Sequence, residues 1–279
     1  MPRFFIDAVP VSEGKIALTG TDAHHISRSL RMAAGERITV CDGKGTEYVC
    51  ELTDFLPGQV CARVLWSLPS ASEPPYRAVV FQALAKGDKL DVVIQKAVEC
   101  GAHEIALFES ERCVVRMRGD EKEGRQDRRS RIALEAAKQS GRGVIPRVRP
   151  PVGFSEALAQ AARAELPLFC YEGEGTEPLS AVLRRFRAGR ANRGPGTDAL
   201  GRDAPSAAPE LPGDPLPTVS VMVGSEGGFS PAEAEQARAA GMCAVGLGRR
   251  ILRTETAAAF VLACLSYELE LSEMGNDQQ

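Results

Sequence analysis

Long apolar runs are missing from this chain. The longest, Ala257 to Leu265, falls far short of the roughly 20 residues that a membrane-spanning helix needs. The N-terminal MPRFFIDAVP places Asp7 where a secretory signal requires unbroken apolar residues, so the chain is expected to stay in the cytoplasm. No Cys-x-x-Cys pair occurs: the eight cysteines stand singly at Cys41, Cys50, Cys61, Cys100, Cys113, Cys170, Cys243 and Cys264. The three histidines, His24, His25 and His103, complete no ligand spacing. Reduced cysteines acting as small core residues, and no structural metal, are therefore expected. The common nucleotide fingerprints are absent too. There is no G-x-x-x-x-G-K-[ST] and no complete G-x-G-x-x-G, which argues against a P-loop and against the usual Rossmann methyltransferase.

A net positive charge is also lacking. The 279 residues sum to −3, which looks wrong for a nucleic-acid binder until the charge is followed along the chain. Between Arg112 and Arg149 stand twelve Lys/Arg and five Asp/Glu, a local +7. A polyanion responds to charge within a Debye length, so this segment either contacts nucleic acid or forms an exposed, solvated helix.

What is present reads as two modules. Residues 1 to about 68 form short strands around one helix: RFFIDAV, KIALTG, ERITVCDG, TEYVCELTDF and QVCARVLW are strand-like, and Asp22 is placed to cap a helix through AHHISRSLRM. Asp42, Gly43, Lys44 and Gly45 make a turn between two of these strands. SLPSASEPPY, residues 67–76, reads as a linker (69–76 once the barrel ends at 68). From Arg77 to residue 279 strand and helix alternate, which argues for a parallel sheet with helices on both faces. RAVVFQAL, HEIALFE, ERCVVR, LPLFCYE, TVSVMVG and AVGLG are the expected strands. Helices are expected in GDKLDVVIQKAVECG, in RRSRIALEAAKQSGR up to Gly141, in TEPLSAVLRRF, after a capping box at Ser230–Glu233, and from Thr254 to about Ser272. Residues 188–217, rich in Gly, Pro and Ala without apolar periodicity, read as a disordered insertion.

Two loops carry the chemistry. VGSEGGFSP (Gly224 to Pro231) and GLGRRILRTETA (Gly246 to Ala257) each follow a buried strand and open into a helix. Ligands of open α/β sheets bind outside the carboxyl ends of strands, and glycines there let backbone groups approach a ligand. Backbone recognition of this kind suits an adenosine cofactor.

Together these loops resemble the signature of the SPOUT superfamily of RNA methyltransferases, and most closely the family that makes 3-methyluridine in small-subunit (16S) ribosomal RNA. The resemblance extends to His24–Arg31 with Asp42-Gly43-x-Gly45, to Ala83–Lys89, to Ser110-Glu111-Arg112, and to Ala136-Ala137-x-Gln139-Ser140-Gly141-Arg142. It covers nearly the whole chain outside residues 188–217. Departures are few: Ser225 and Arg249 stand where the family usually has proline, and Lys138 where glutamate is common, which removes any acid/base role there. The resemblance implies a PUA-like RNA-binding barrel, an α/β domain with a deep trefoil knot, a homodimer, S-adenosylmethionine as cofactor, and 16S rRNA or the small ribosomal subunit as partner.

It also implies a site. The first loop would hold the cofactor through Gly224, Ser225, Glu226, Gly227 and Gly228, with Tyr171 beside it. The second would do so through Leu247, Gly248, Arg250, Ile251 and Leu252, followed by Thr256 and Ala257. Uridine N3 must lose a proton before it accepts a methyl group, and an arginine near a pyrimidine oxygen favours the anion. Arg250 and Arg253 are the candidates; Glu226 and Glu255 would accept the proton or hold the arginines, with a loop-shaping salt bridge as the alternative. Arg3, Arg28, Arg31, Arg112 and Arg142 are candidate RNA contacts, and His24 and His25, in the other module, read as helix surface or RNA contact. Two other readings remain open: a ribose 2′-O-methyltransferase of the same fold, and a non-catalytic RNA-binding assembly protein.

Overall fold

The computed structural model describes residues 1–6, 14–116, 122–191 and 216–272. The chain divides into two units, residues 1–73 with 134–145, and residues 74–133 with 146–279.

The first unit is a five-stranded sheet of order β1-β3-β4-β5-β2, from β1 (Arg3–Phe5), β2 (Lys15–Thr19), β3 (Arg37–Cys41), β4 (Thr46–Leu56) and β5 (Gln59–Pro69). Strand alternation separates its faces: Ile16 and Leu18 are buried while Lys15, Ala17 and Thr19 are exposed. Ile38, Val40, Cys50, Leu52, Val60 and Ala62 complete the apolar side, with Ala23 and Ile26 from the helical segment packed on it. That segment is shorter than expected. α1 (Gly20–His24) starts without a side-chain cap, so Asp22 lies in its first turn and does not cap it, and a π-helical turn follows over His25–Ser29. Arg31 adopts φ +52, so the helix expected through AHHISRSLRM ends before Arg31. The Asp42 turn is as expected: its carboxylate accepts from the amides of Lys44 (2.8 Å) and Thr46 (3.0 Å).

The expected linker is partly strand, since β5 continues to Pro69. Beyond it, Glu73 accepts the Arg142 guanidinium at 2.5 Å and the amides of Gly143 (2.9 Å) and Val144 (3.0 Å).

The second unit is a seven-stranded sheet of order β10-β12-β9-β11-β6-β7-β8 in which every pairing is parallel. Its strands are β6 (Arg77–Ala83), β7 (Ala102–Glu109), β8 (Arg147–Gly153), β9 (Leu166–Cys170), β10 (Glu177–Pro178), β11 (Thr218–Val223) and β12 (Cys243–Gly246). Central strands covered on both faces lose their alternation, and Val219–Val223 are all buried. The helices are α2 (Lys89–Glu99), α3 (Lys122–Ser140), α4 (Phe154–Ala161), α5 (Leu179–Ala191), α6 (Pro231–Ala239) and α7 (Thr254–Ser266), the last continued by a π-helical turn over Tyr267–Leu271. The expected stripe of α2 is buried throughout: Leu90, Val93, Ile94, Ala97 and Val98. The box at Ser230 is present, with its hydroxyl accepting from the Glu233 amide and the Glu233 carboxylate accepting from the Ser230 amide.

Three expectations are corrected here. Glu111–Arg116 form turns and bends, not a strand, with only Cys113 buried. β8 and α4 were not anticipated; Pro150 and Pro151 argue against a strand, and β8 tolerates them as the edge strand, where one side makes no ladder. Residues 188–191 complete α5, and the Pro217 carbonyl accepts from Arg77 at 2.8 Å, so the insertion is narrower than 188–217; residues 192–215 lie outside the described residues.

Arg142 is the most consequential correction. Its side chain is 3% exposed and is held by Glu73, so it is a structural cation and not an RNA contact. Removing one partner of a buried pair leaves an uncompensated charge, at a cost of roughly 3–5 kcal/mol. Glu73→Ala should therefore lower stability by that amount in urea unfolding, whereas Arg142→Met combined with Glu73→Leu should cost much less.

Candidate functional site

In the order β12-β9-β11-β6 four parallel strands end side by side, so the loops that follow them leave from one end of the sheet. The loop after β11 turns tightly at Ser225–Gly228, where the Gly228 amide donates to the Ser225 carbonyl at 2.9 Å and Gly228 takes φ +64. A Cβ on Gly224 would sit 3.0 Å from the Gly228 carbonyl carbon, so this turn requires glycine. Phe229 anchors the loop in the core, its ring centroid 4.2 Å from Phe169 and 6.2 Å from Phe108. The Cβ of a substituted Gly227 would meet Arg112 Cβ at 3.0 Å, so this glycine makes room for protein.

The loop after β12 runs from Leu247 to Arg253, with Gly248 at φ +104 and Arg249, Arg250, Ile251 and Arg253 exposed. It ends in Thr254, which is buried. The Thr254 hydroxyl donates to the Gly224 carbonyl at 2.7 Å, joining the two glycine loops. Gln82, fully buried near the end of β6, completes the junction: its Nε2 donates to Thr254 Oγ1 at 2.9 Å, to the Ala83 carbonyl at 3.0 Å and more weakly to the Gly224 carbonyl at 3.4 Å. Among the described residues its Oε1 is buried without a hydrogen-bond partner. Thr256 and Ala257 donate their amides to the Arg253 carbonyl and so start α7.

Further residues shape the rim. Tyr171, half-buried after β9, has the Arg238 guanidinium 5.7 Å from its ring centroid. Glu226 accepts from the Lys86 amide at 3.1 Å and from Lys89 Nζ at 3.0 Å. Burial pushes its carboxyl up, but hydrogen bonds from its own backbone amide, from Lys89 and from the Lys86 amide outweigh this and hold it below the ordinary 4.5. Glu226 is thus engaged by Lys86 and Lys89, the loop-shaping ion pair that stood as the alternative to a proton acceptor. Glu255 differs: its Oε2 is buried without a hydrogen-bond partner, while its Oε1 lies 3.9 Å from an otherwise exposed Arg253.

The expected RNA contacts scatter. Arg112 donates to the Gly227 carbonyl at 3.2 Å, and its own carbonyl accepts from the Ser225 hydroxyl at 3.2 Å, so Arg112 supports the first glycine loop. Arg3 is spent on Glu47, at 2.8 and 3.2 Å. Of the five candidates, Arg28 and Arg31 are exposed and are the ones for which no side-chain hydrogen bond or ion pair is seen among the described residues. Part of the positive segment is neutralised as well: Arg116 pairs with Glu109, Arg128 with Asp91, Arg142 with Glu73 and Arg149 with Glu104. Sequence reasoning missed Gln82, Lys86 and Lys89 as parts of the site, although the Ala83–Lys89 motif was the available signal. A groove of about 560 Å³ that includes Phe81, Arg149, Gln160, Arg163 and Ser220 contains none of the loop residues. Among the described residues no cluster of His, Cys, Asp or Glu could hold a metal, and no helix is long and apolar enough to cross a membrane.

Comparison with known proteins is consistent across the chain. Residues 72–196 and 199–266 match the RNA methyltransferase domain family, and residues 18–65 match the RNA methyltransferase PUA domain. The ribosomal RNA small subunit methyltransferase E of Bacillus subtilis is 31% identical over 97% of this chain and 98% of its own. The protein of the same name from Mesomycoplasma hyopneumoniae is 29% identical, covering 94% and 97%. A crystal structure of ribosomal RNA small subunit methyltransferase E from Neisseria gonorrhoeae, bound to S-adenosyl methionine, superposes with a TM-score of 0.72 at 30% identity, covering 96% of this chain and 97% of that one.

Two outcomes follow from the geometry. Thr254→Val keeps the shape but removes both the donor to Gly224 and the acceptor for Gln82, and each buried group left unsatisfied costs about 1–3 kcal/mol. Thermal unfolding should show that loss for Thr254→Val and little change for Thr254→Ser. The Glu226 pairing is acid-sensitive. Because its folded value is depressed, its contribution is present above 4.5 and is lost as the pH falls through the lower folded value. Glu226→Gln should lower Tm at neutral pH, with the deficit closing in an acid series below that range.

Proposed function

We propose that this chain, which belongs to the RNA methyltransferase family, transfers a methyl group from S-adenosylmethionine to N3 of a uridine in 16S ribosomal RNA. One observation carries the reading: two glycine loops, locked together at Gly224, Thr254 and Gln82, in a chain that aligns over nearly its full length with relatives named for small-subunit rRNA methylation.

The site fits an adenosine cofactor because its lining is mostly backbone. Gly224 and Gly228 keep the first turn free of side chains, Gly248 does so for the second, and Gln82 Oε1 leaves a buried acceptor beside them. Gly224 to Gly228 and Leu247 to Leu252 would hold the cofactor, with Tyr171, Thr256 and Ala257 at the margins. The bound cofactor supplies an electrophilic methyl carried on a sulfonium, which leaves as a neutral thioether. The protein has then to expose N3, since that atom lies on the pairing edge of the base, and to favour loss of its proton. Arg253, 82% exposed at the start of α7, and Arg250 are placed to stabilise the uridine anion. Glu255, with one oxygen uncommitted, is the proton acceptor in this reading, and Glu226 positions Lys89.

In the same reading the N-terminal module (1–68) binds RNA, using Arg28 and Arg31, and the remainder (77–279), with its proposed trefoil knot, performs the chemistry. A homodimer belongs to the same reading, and Ile251, Tyr267 and Leu271 are apolar residues left exposed, at 83%, 70% and 53%.

Mass spectrometry of 16S rRNA nucleosides from a deletion strain, with and without complementation, tests the reaction. Loss and return of 3-methyluridine is expected; loss of a 2′-O-methylated nucleoside, or no change, would overturn the assignment. Arg253→Ala should bind RNA nearly normally yet slow single-turnover methyl transfer on the order of a hundredfold, as when one preorganised charge is removed. Wild-type rates would make Arg253 structural.

A further inference from the structure

The N-terminal sheet has a second face that the reaction as described does not use. Its strand register lines up Arg37 with Glu51, Glu51 with Arg63, and Arg63 with Lys15, in one row across β3, β4, β5 and β2. The alternating neighbours Ile38, Cys50, Ala62 and Ile16 are in the core, so the row lies on the opposite, solvent side. At strand spacings of about 4.8 Å its three cations and one carboxylate extend over roughly 14 Å. Arg63 contacts Glu51 at 2.9 Å, while Arg37 and Lys15 have no carboxylate partner among the described residues.

A β-bulge between Val49 and Cys50 offsets the pairing, so that Trp66 faces Val49 on the same side as this row. Trp66 is the only tryptophan of the chain and is 50% exposed, with the Arg37 guanidinium 5.8 Å from its ring centroid. A single exposed apolar residue needs no explanation, but an exposed indole beside a guanidinium, in a row that also carries Lys15 and the exposed Arg63, is the combination that holds an unstacked base and its phosphates.

We propose that the Trp66–Arg37 pair is a stacking platform for an unpaired nucleotide of the RNA substrate, with Lys15 and Arg63 meeting the adjacent phosphates. The platform rests on the RNA-methylating reading and adds this face to the RNA contacts that the reading gives to Arg28 and Arg31. An unpaired partner is required because only a base out of its helix offers a free face to the indole. Charge complementarity selects RNA over a second copy of this chain, whose corresponding surface would bring the same cations together.

The lone tryptophan makes the test direct. Titrating the full chain with 16S rRNA and with a single-stranded oligouridylate should quench or shift Trp66 emission as binding saturates. Trp66→Ala should weaken RNA affinity roughly five- to hundredfold, with the single-turnover rate at saturating RNA unchanged, and Trp66→Phe should recover most of the loss. Arg37→Gln should flatten the salt dependence of binding. Unchanged emission with unchanged affinity of Trp66→Ala would overturn the platform while leaving methylation intact. A Trp66→Ala change in sedimentation with unaltered RNA affinity would overturn it too, by giving the face to a second copy. Absence of methyl transfer to any RNA by the wild type would instead sink the functional reading.

Discussion

The carbonyl of Gly224 is the point on which the site depends. It ends a buried strand, and a buried carbonyl must find a donor. The donor comes from thirty residues further on: the Thr254 hydroxyl, itself accepting from Gln82 on a neighbouring strand. One acceptor therefore fixes the exit of β11, the start of α7 and the end of β6. The two glycine loops are free to turn sharply because glycine permits it, and they stay in place because this junction and the Phe229 ring hold their ends. Flexible backbone between fixed ends is what a site built from main-chain groups requires.

Charge shows how far a local sum can mislead. The positive excess between Arg112 and Arg149 is real in the sequence, yet four of its arginines are committed to carboxylates drawn from Glu73, Asp91, Glu104 and Glu109. Those partners lie outside the segment, so a count along the chain cannot see them. The cations left without partners include Lys15 and Arg37, which a linear count ranks no higher than any other residue and which only strand register brings together.

Much of the architecture was legible because periodicity is a local property. The α2 stripe, the Ser230 box, the Asp42 turn and the strands around the glycine loops all follow from residues within a few positions of one another. The errors arose where tertiary position overrode local chemistry. β8 was missed because its prolines forbid a central strand but not an edge one, and the helix after Gly20 was drawn too long because Arg31 leaves the helical region. Gln82 was missed because a glutamine closing an apolar strand looks unremarkable until Thr254 is placed against it. Arg142 was read as an RNA contact from its motif, and its burial against Glu73 could only be found in three dimensions.

The central claim is that the latched loops are where the cofactor is held. Amide hydrogen exchange of the whole protein, with and without S-adenosylmethionine, tests it most directly. The account predicts new protection concentrated at residues 224–230 and 247–257, with a smaller effect near Gln82 at the end of β6. Protection centred instead on the groove of Arg149, Gln160 and Arg163, or none at all, would contradict it.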